Sequence, residues 1–470
     1  MKLNMNKVNK ENIAFINNYS YATGAYAVIN KNIAMELDEF GEYKYIEKEC
    51  FEMDSSKFNI DLNEDKISRD LFAKNPNIKY DARVGYYQKI YAGHVIEGDF
   101  RKNASSGGFG TWIFKELFEK RLIDGVIHVK ENKDKESPIL FKYDISKSIE
   151  EIKAGAKTRY YPVEFSQVIN KIKEKPGNYA IIGTPSFIMS IRLLARQDPV
   201  VNERIKYTIG LICGHQKSSK FADCLAWQVG IEPGNLKSIN FRKKIPNFPA
   251  NRYGVEITGL VKGKEITITK HMSEMIGHNW GQGFFKSYAS DFTDDVMNET
   301  ADVTLGDAWL PEYTEDSDGN NVILVRDDTI LKIIEDGIAT NKIKINEISV
   351  DTIVKSQASH FQHTQNELGY RLYKKDKAGE WRPETRVQAS NDIPYFRRKI
   401  QDLRMEISKQ SHTSFHKAVQ LNDFNYFVNR MNKYTRKYDR IYYISKISKK
   451  GPKDLISKIF NKILMKLKVK

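Results

Sequence analysis

The stretch NYAIIGTPSFIMSIRLLARQDPVVNERIKYTIGLIC, residues 178–213, carries the clearest structural signal in the chain. Tyr179-Ala180-Ile181-Ile182-Gly183 is a short apolar run of the kind a buried strand needs. Residues 186–196 then space their apolar side chains as a helix does, and 205–213 form a second apolar strand. A strand, a helix and a strand of this size predict a right-handed parallel crossover. The junction Gly183-Thr184-Pro185-Ser186 then falls at the sheet edge where open α/β folds collect ligands.

Working outward, Gly107 and Gly108 precede an amphipathic stretch, 109–120, which passes through Asp124-Gly125 into the β-branched run Val126-Ile127-His128-Val129. Residues 255–260 and 265–269 alternate around Lys262-Gly263-Lys264, a hairpin pattern. Short strands are predicted at 301–305 and 321–325, a helix at 329–340, and only helix from about residue 391 onward. The expected class is α/β, a mixed sheet followed by a basic helical tail.

Composition limits the function. A chain of 470 residues with 40% hydrophobic content can bury two or three sizeable cores. The net charge of +15 admits a nucleic-acid partner, but a lysine-rich composition explains it equally, and no nucleic-acid partner is expected. Cys50, Cys213 and Cys224 have no metal or disulfide spacing, which points to a reducing compartment and away from a thiolate metal site. Residues 1–18 are polar and no run reaches the ~18 apolar residues of a membrane span, so a cytoplasmic location is expected.

In Asn103-Ala104-Ser105-Ser106-Gly107-Gly108-Phe109, small hydroxyl residues and two glycines stand directly before a helix. Backbone N–H groups at a helix start, with no Cβ in the way, can seat a phosphate. An ordinary serine N-cap followed by a glycine turn reads the same residues without a ligand. Asp291, Asp294, Asp295, Glu299, Asp302 and Asp307 have oxygen ligands for a divalent cation, but they read more simply as a solvated loop and turn, and no metal is expected.

Taken in order, Tyr91-Ala92-Gly93-His94, Arg101, Ser105-Ser106-Gly107-Gly108, Asp124-Gly125-Val126, Ala154-Gly155-Ala156-Lys157-Thr158-Arg159-Tyr160-Tyr161, Gly183-Thr184-Pro185, Cys213-Gly214-His215 and Gly306-Asp307-Ala308-Trp309 resemble the beta subunit family of coenzyme F(420) hydrogenase/dehydrogenase. The resemblance implies a flavoprotein that binds FAD in a mixed α/β domain and passes electrons between a deazaflavin or other reductant and iron–sulfur clusters. It further implies a degenerate ferredoxin-like segment over 1–80, an FAD-binding region over 81–265, a second α/β region over 266–375, a helical extension over 376–450 and a basic amphipathic helix over 451–470. The basic tail resembles a bacterial branch encoded among polysaccharide-synthesis genes.

The departures concern the cysteines. The family's amino-terminal motif C-x2-C-x2-C-x3-C-P falls on Tyr19, Ala22, Ala25, Ile29 and Asn30, and none of these supplies a thiolate for a cluster. Ser186 replaces the cysteine usual after Gly-Thr-Pro, and Ser290 and Thr293 replace a C-x2-C pair, leaving Cys213 alone in a family position. No iron–sulfur cluster is therefore expected, and any redox reaction has to take hydride in and give hydride out, with a soluble reductant or small-molecule substrate. The resemblance seats the FAD pyrophosphate on Ser105, Ser106, Gly107 and Gly108 with Lys157 and Arg159 as charge partners, puts Tyr160 beside a ring and Thr184 at the second junction, and makes His215 the candidate proton donor. Without it, Lys157 and Arg159 read as a solvated loop, Tyr160 as core and His215 as packed. The alternative function is a non-catalytic scaffold for polysaccharide-synthesis enzymes, descended from such a flavoenzyme.

In the tail, Leu455, Ile456, Ile459, Phe460, Ile463, Leu464 and Leu467 recur at helical spacing, with Lys458, Lys462, Lys466, Lys468 and Lys470 between them. Such a cationic amphipathic helix fits an anionic membrane surface, which would attach the protein peripherally at the inner face, at about 1 kcal/mol per lysine. Docking on the protein's own body, a partner or nucleic acid are the other readings.

Overall fold

A computed structural model describes residues 16–48, 64–134 and 136–448. Cys50 and the amphipathic segment 451–470 lie outside the described residues.

Eight strands build the central sheet: β1 (Lys89–Val95), β2 (Gly125–Glu131), β3 (Phe141–Ser146), β4 (Tyr179–Gly183), β5 (Ile205–Leu211), β6 (Val303–Asp307), β7 (Asn321–Val325) and β8 (Ile343–Glu347). Their spatial order is β8-β1-β7-β6-β5-β4-β2-β3. β2, β4, β5 and β6 run parallel, while β3, β7 and β1 pair antiparallel to their neighbours. The parallel strands are the ones that read as continuous apolar runs, because helices cover both of their faces. Between β4 and β5 lies α2 (Pro185–Gln197), so the crossover expected from residues 178–213 is present. The sheet draws strands from both sides of residue 265.

Helix α1 (Phe109–Glu119) buries Phe109, Trp112, Ile113, Phe114 and Leu117 in one core with Ile209, Leu305 and Ile323 of the sheet. α3 (Asp328–Ala339) joins that core through Ile330, Ile333 and Ile334. On another core, the amino-terminal helix Ala25–Ile29 and hairpin Ile33–Leu37/Tyr43–Glu47 pack through Tyr26, Val28 and Ile33 with Phe165, Ile169 and Phe187. A separate three-stranded antiparallel sheet, Leu236–Lys243, Gly254–Val261 and Lys264–His271, contains the expected hairpin. Its turn residues Lys262 and Gly263 both have positive φ, 49° and 76°, as a two-residue hairpin turn requires.

The carboxy-terminal region is an antiparallel pair, α4 (Tyr395–Leu421) and α5 (Phe424–Ser448), turned at Asn422 with φ 49°. Phe285, Phe415, Phe427 and Tyr438 bind this pair to the body. Glu367 anchors it by accepting from Arg397 Nε and Gln401 Nε2. Burial works against the Glu367 charge, but His363 and Arg397 outweigh it and hold its carboxyl down at about 2. A depressed carboxyl stabilises the fold above its unfolded pKa, and that contribution is lost as pH falls through the folded value. We expect the thermal midpoint of Glu367→Gln to fall less steeply than that of the parent between pH 4.5 and about 2. Identical slopes in a pH series of melting curves would show that the clamp is not charged.

Candidate functional site

The parallel strands end at Glu131, Gly183, Leu211 and Asp307, and this carboxyl edge gathers the motif residues. Antiparallel β7 and β1 deliver Asn321 and Gly93 to the same edge, through the register Asp307 to Asn321 to Gly93. α1 starts there, so Phe109, Gly110 and Thr111 begin the helix with no intrahelical partner for their N–H groups. Asn321 Oδ1 accepts the first of these at 3.4 Å.

The two serines are already engaged: Ser105 Oγ accepts from the Thr158 N–H at 2.9 Å, and Ser106 Oγ donates to the Asn320 carbonyl at 2.8 Å. They fix the loop and tie it to the segment that carries Lys157. Gly108 sits at φ 95°, and a Cβ on Gly107 would lie 2.8 Å from the Asn321 N and from the Gly93 carbonyl oxygen. Close packing of backbone on backbone thus demands glycine at Gly107 whether or not a ligand is bound. Gly107→Val should lower stability by about 1–3 kcal/mol equally in flavin-free and flavin-treated protein, read from paired melting curves. A loss confined to the flavin-treated sample would instead make Gly107 a ligand contact.

Cations surround this helix start. Lys157 Nζ donates to the Ala104 carbonyl at 3.4 Å, and Lys244 Nζ to the carbonyls of Arg101 at 2.5 Å and Ser106 at 3.3 Å. Arg101 pairs with Asp316, Lys243 with Glu256 at 2.6 Å and Arg159 with Glu131 at 3.8 Å. Among the described residues, Lys157 and Lys244 have no carboxylate partner within salt-bridge distance. Burial, with Arg159 and Lys243 nearby, lowers the proton affinity of Lys157. Burial together with Lys157, Arg101 and Arg242 brings Lys244 down to about 8. Lys157 also holds a left-handed backbone, φ 101°. Arg159 is not a solvated loop residue: its side chain is 7% exposed, lies 4.9 Å over the Phe141 ring, and its Nε has no partner.

A second group continues along the edge. Thr184 caps α2, and its Oγ1 accepts from Gln216 Nε2 at 3.1 Å. Tyr160 packs edge-on against Trp280 at 4.5 Å, and Trp280 meets His215 at 5.2 Å. Arg242 pairs with Asp307 at 2.8 Å and reaches the Tyr160 hydroxyl at 3.5 Å. Burial opposes the Arg242 charge, yet Asp307 holds it well above the usual range. For His215, burial and then Lys217, Arg404, Lys286 and His360 push the imidazole well below its usual range. It is a neutral ring at neutral pH, able to offer one N–H and one lone pair, and its Nε2 has no partner.

Around Cys213 the structure brings together residues far apart in sequence. The Tyr21 hydroxyl lies 3.3 Å from Thr293 Oγ1 and interacts with Ser290 and Cys213, while Ser290 Oγ accepts from the Gln216 N–H at 3.2 Å. Burial raises the Cys213 thiol to about 11, so it is held as a thiol. Tyr19 packs against Tyr288, Phe292 and Trp381, Ala22 and Ala25 are buried, and Ile29 is exposed.

The acidic residues correct the sequence reading. Asp291, Asp294, Asp295, Glu299 and Asp302 are buried, not part of a solvated loop. Cations explain it, most of them distant in sequence: Arg371 and the nearby Lys286 pair with Asp291, Arg386 with Asp294 and Glu299, and Arg192 with Asp302. Arg326, fully buried, donates to the carbonyls of Tyr86, Asn298 and Ala301 and to Thr304 Oγ1. No group of three or more metal-ligating side chains occurs among the described residues.

Sequence reading missed Arg242, Lys244, Trp280, His360 and Asn321. The strand Leu236–Lys243 that delivers the first two alternates Ile239 and Phe241 inward, a usable signal, although Arg242 is buried as well.

The fold and edge site therefore define a mixed α/β protein with a cationic helix-start seat beside an aromatic and histidine group. Residues 90–170 match the coenzyme F(420) hydrogenase/dehydrogenase beta subunit N-terminal family model, and residues 177–351 match the C-terminal model. The chain belongs to the coenzyme F(420) hydrogenase/dehydrogenase beta subunit family. It is similar to an uncharacterized protein of Methanocaldococcus jannaschii, 29% identical over 219 residues, 39% of this chain and 59% of that protein. The chain thus spans about three-fifths of that relative's length. A chain of the F(420)-reducing nickel–iron hydrogenase complex from Methanosarcina barkeri aligns with a TM-score of 0.47 at 16% identity, over 66% of this chain and 100% of that one.

Proposed function

We propose that this chain is an FAD-dependent oxidoreductase that works without iron–sulfur clusters. The observation that carries the reading is the convergence of Lys157 and Lys244, held only by backbone carbonyls, on the start of α1 at the carboxyl edge of the sheet. Two cations without carboxylates beside helix-start N–H groups that lack intrahelical partners suit a pyrophosphate. The Arg159 guanidinium, with its unpartnered Nε, adds a further donor toward it. Tyr160, Trp280 and His215 would line the ring system, with neutral His215 as hydrogen-bond donor to a ring or substrate heteroatom.

Bound FAD supplies hydride transfer. Ser290 and Thr293, which stand where the family resemblance expects cysteines, bond to the Tyr21 hydroxyl instead, which favours a soluble hydride donor such as a nicotinamide, deazaflavin or reduced flavin. Purified protein is expected to hold flavin at one equivalent without iron, checked by visible absorbance and metal analysis. Stoichiometric iron, or no flavin after reconstitution, would sink the proposal.

The proposal extends to polysaccharide synthesis as the setting and to an anionic membrane surface as a partner of residues 451–470. No described helix is long and apolar enough to cross a membrane. Deleting 451–470 should abolish sedimentation with anionic liposomes, weakly salt-resistant because the Debye length is about 8 Å at physiological ionic strength, and leave flavin content unchanged. Persistent sedimentation of the truncated protein would remove the membrane from the reading.

A further inference from the structure

Deeper than Trp280, four cations are buried together: Lys217, Lys286, Arg371 and Arg404. Asp291 pairs with Lys286 and with Arg371 at 3.4 Å. Glu367 is taken by Arg397 and Gln401. Lys217 Nζ donates to the Phe284 carbonyl at 2.5 Å and otherwise lies over the rings of Trp280, at 4.5 Å, and Phe221, at 5.0 Å. Arg404 reaches the Gly281 carbonyl and, at 3.4 Å, His363 Nε2. Lys217 and Arg404 thus have no carboxylate within salt-bridge distance among the described residues. Charges buried in this way are costly unless something negative joins them.

Polar atoms near them also lack partners. Arg404 Nε, His215 Nε2, His360 Nδ1 and Thr364 Oγ1 are buried without a hydrogen bond, and the residues Arg404 and Thr364 are 4% and 3% exposed. Lys217 and His215 both meet the Trp280 ring, at 4.5 and 5.2 Å, and Lys217, Arg404, Lys286 and His360 all act electrostatically on His215. Gly214 approaches the His360 ring so closely that a Cβ there would touch it at 3.5 Å. Thr364 stands in a π-helical turn, Gln362–Asn366, a distortion found mostly at functional sites.

We propose that Lys217, Arg404, His215, His360 and Thr364 bind the anionic group, carboxylate or phosphate, of a small-molecule substrate. Every one of them can donate a hydrogen bond, the imidazoles without being protonated. The inference rests on the flavin reading for its place in a reaction, since Trp280 touches both Tyr160 on the cofactor side and His215 of this cluster. It does not need the flavin for binding.

The test is calorimetric titration of the full chain, flavin-loaded and flavin-free, with malonate and with inorganic phosphate, against sodium chloride of equal ionic strength. One saturable site is expected in the flavin-loaded protein, where the pyrophosphate seat is filled, with malonate or phosphate the tighter ligand according to whether the substrate carries a carboxylate or a phosphate. Lys217→Met should weaken it at least tenfold and Thr364→Val about threefold, while Lys244→Met, at the cofactor seat, should leave it in place. Were the pattern reversed, the anion would be occupying the pyrophosphate seat and the inference would fall. Heat no greater than that of chloride would also overturn it. Anion binding that depends on Lys217 in protein unable to take up flavin would sink the FAD proposal and leave this one standing. If Lys217→Met does not fold, nitrogen NMR of histidine-labelled parent protein decides: malonate should shift the His215 and His360 ring signals, and unchanged signals refute the site.

Discussion

Replacing Lys157 and Lys244 together by methionine should weaken FAD retention by about two to four orders of magnitude. A hydrogen bond to a charged group is worth about 1.5–3 kcal/mol, and two such contacts give about 3–6 kcal/mol. Neither lysine has a carboxylate whose charge the change would strand, so the fold should be spared. Equilibrium dialysis with FAD reads the first effect, and circular dichroism with a melting curve reads the second. Retention unchanged within threefold would move the cofactor away from α1, and a collapse of the fold would make the lysines structural.

The largest loss of stability is expected at Arg326→Met, about 4 kcal/mol or more, in the range of a broken buried network. Arg326 sits between two segments, drawing in the carbonyls of Val84 and Tyr86, at the short strand Gly85–Tyr87, on one side and of Met297, Asn298 and Ala301 on the other. Methionine would remove the guanidinium donors from all five carbonyls, of which Met297 and Asn298 keep a bond from Thr304 Oγ1. Asp295, Glu299 and Asp302 would also lose a neighbouring positive charge. The denaturation midpoint in urea, followed by fluorescence, is the measurement. Arg326→Lys should recover little, because one ammonium cannot span acceptors that the guanidinium reaches from three nitrogens. A midpoint within error of the parent would show that the carbonyls find other partners.

Legibility in the sequence followed the range of the interactions. The crossover at β4, α2 and β5, the hairpin at Lys262-Gly263 and the long carboxy-terminal helices were readable because apolar period and turn chemistry are local. β1, β3 and β8 were not, since each is an antiparallel addition to an edge or interior position that only tertiary pairing defines. The same division holds at the site. Ser105, Ser106, Gly107 and Gly108 stand out as a run, whereas Lys244 enters the seat from a different sheet and Arg242 finds Asp307 across 65 residues of chain. Buried acidic residues were misread as solvated because their partners, Arg386 and Arg371 above all, come from after the family motifs.

The backbone at Lys157 has a consequence for how this chain can change. A non-glycine residue at φ 101° carries a conformational penalty of about 1–3 kcal/mol that the surrounding structure must absorb. Glycine there would be conformationally cheaper. Under the proposed function, substitution at Lys157 has two opposite gradients, one toward a firmer protein and one toward an anion seat. Lys157→Gly should therefore melt higher and hold its ligand less well, and lineages that abandon the ligand should be found to relax at this residue first.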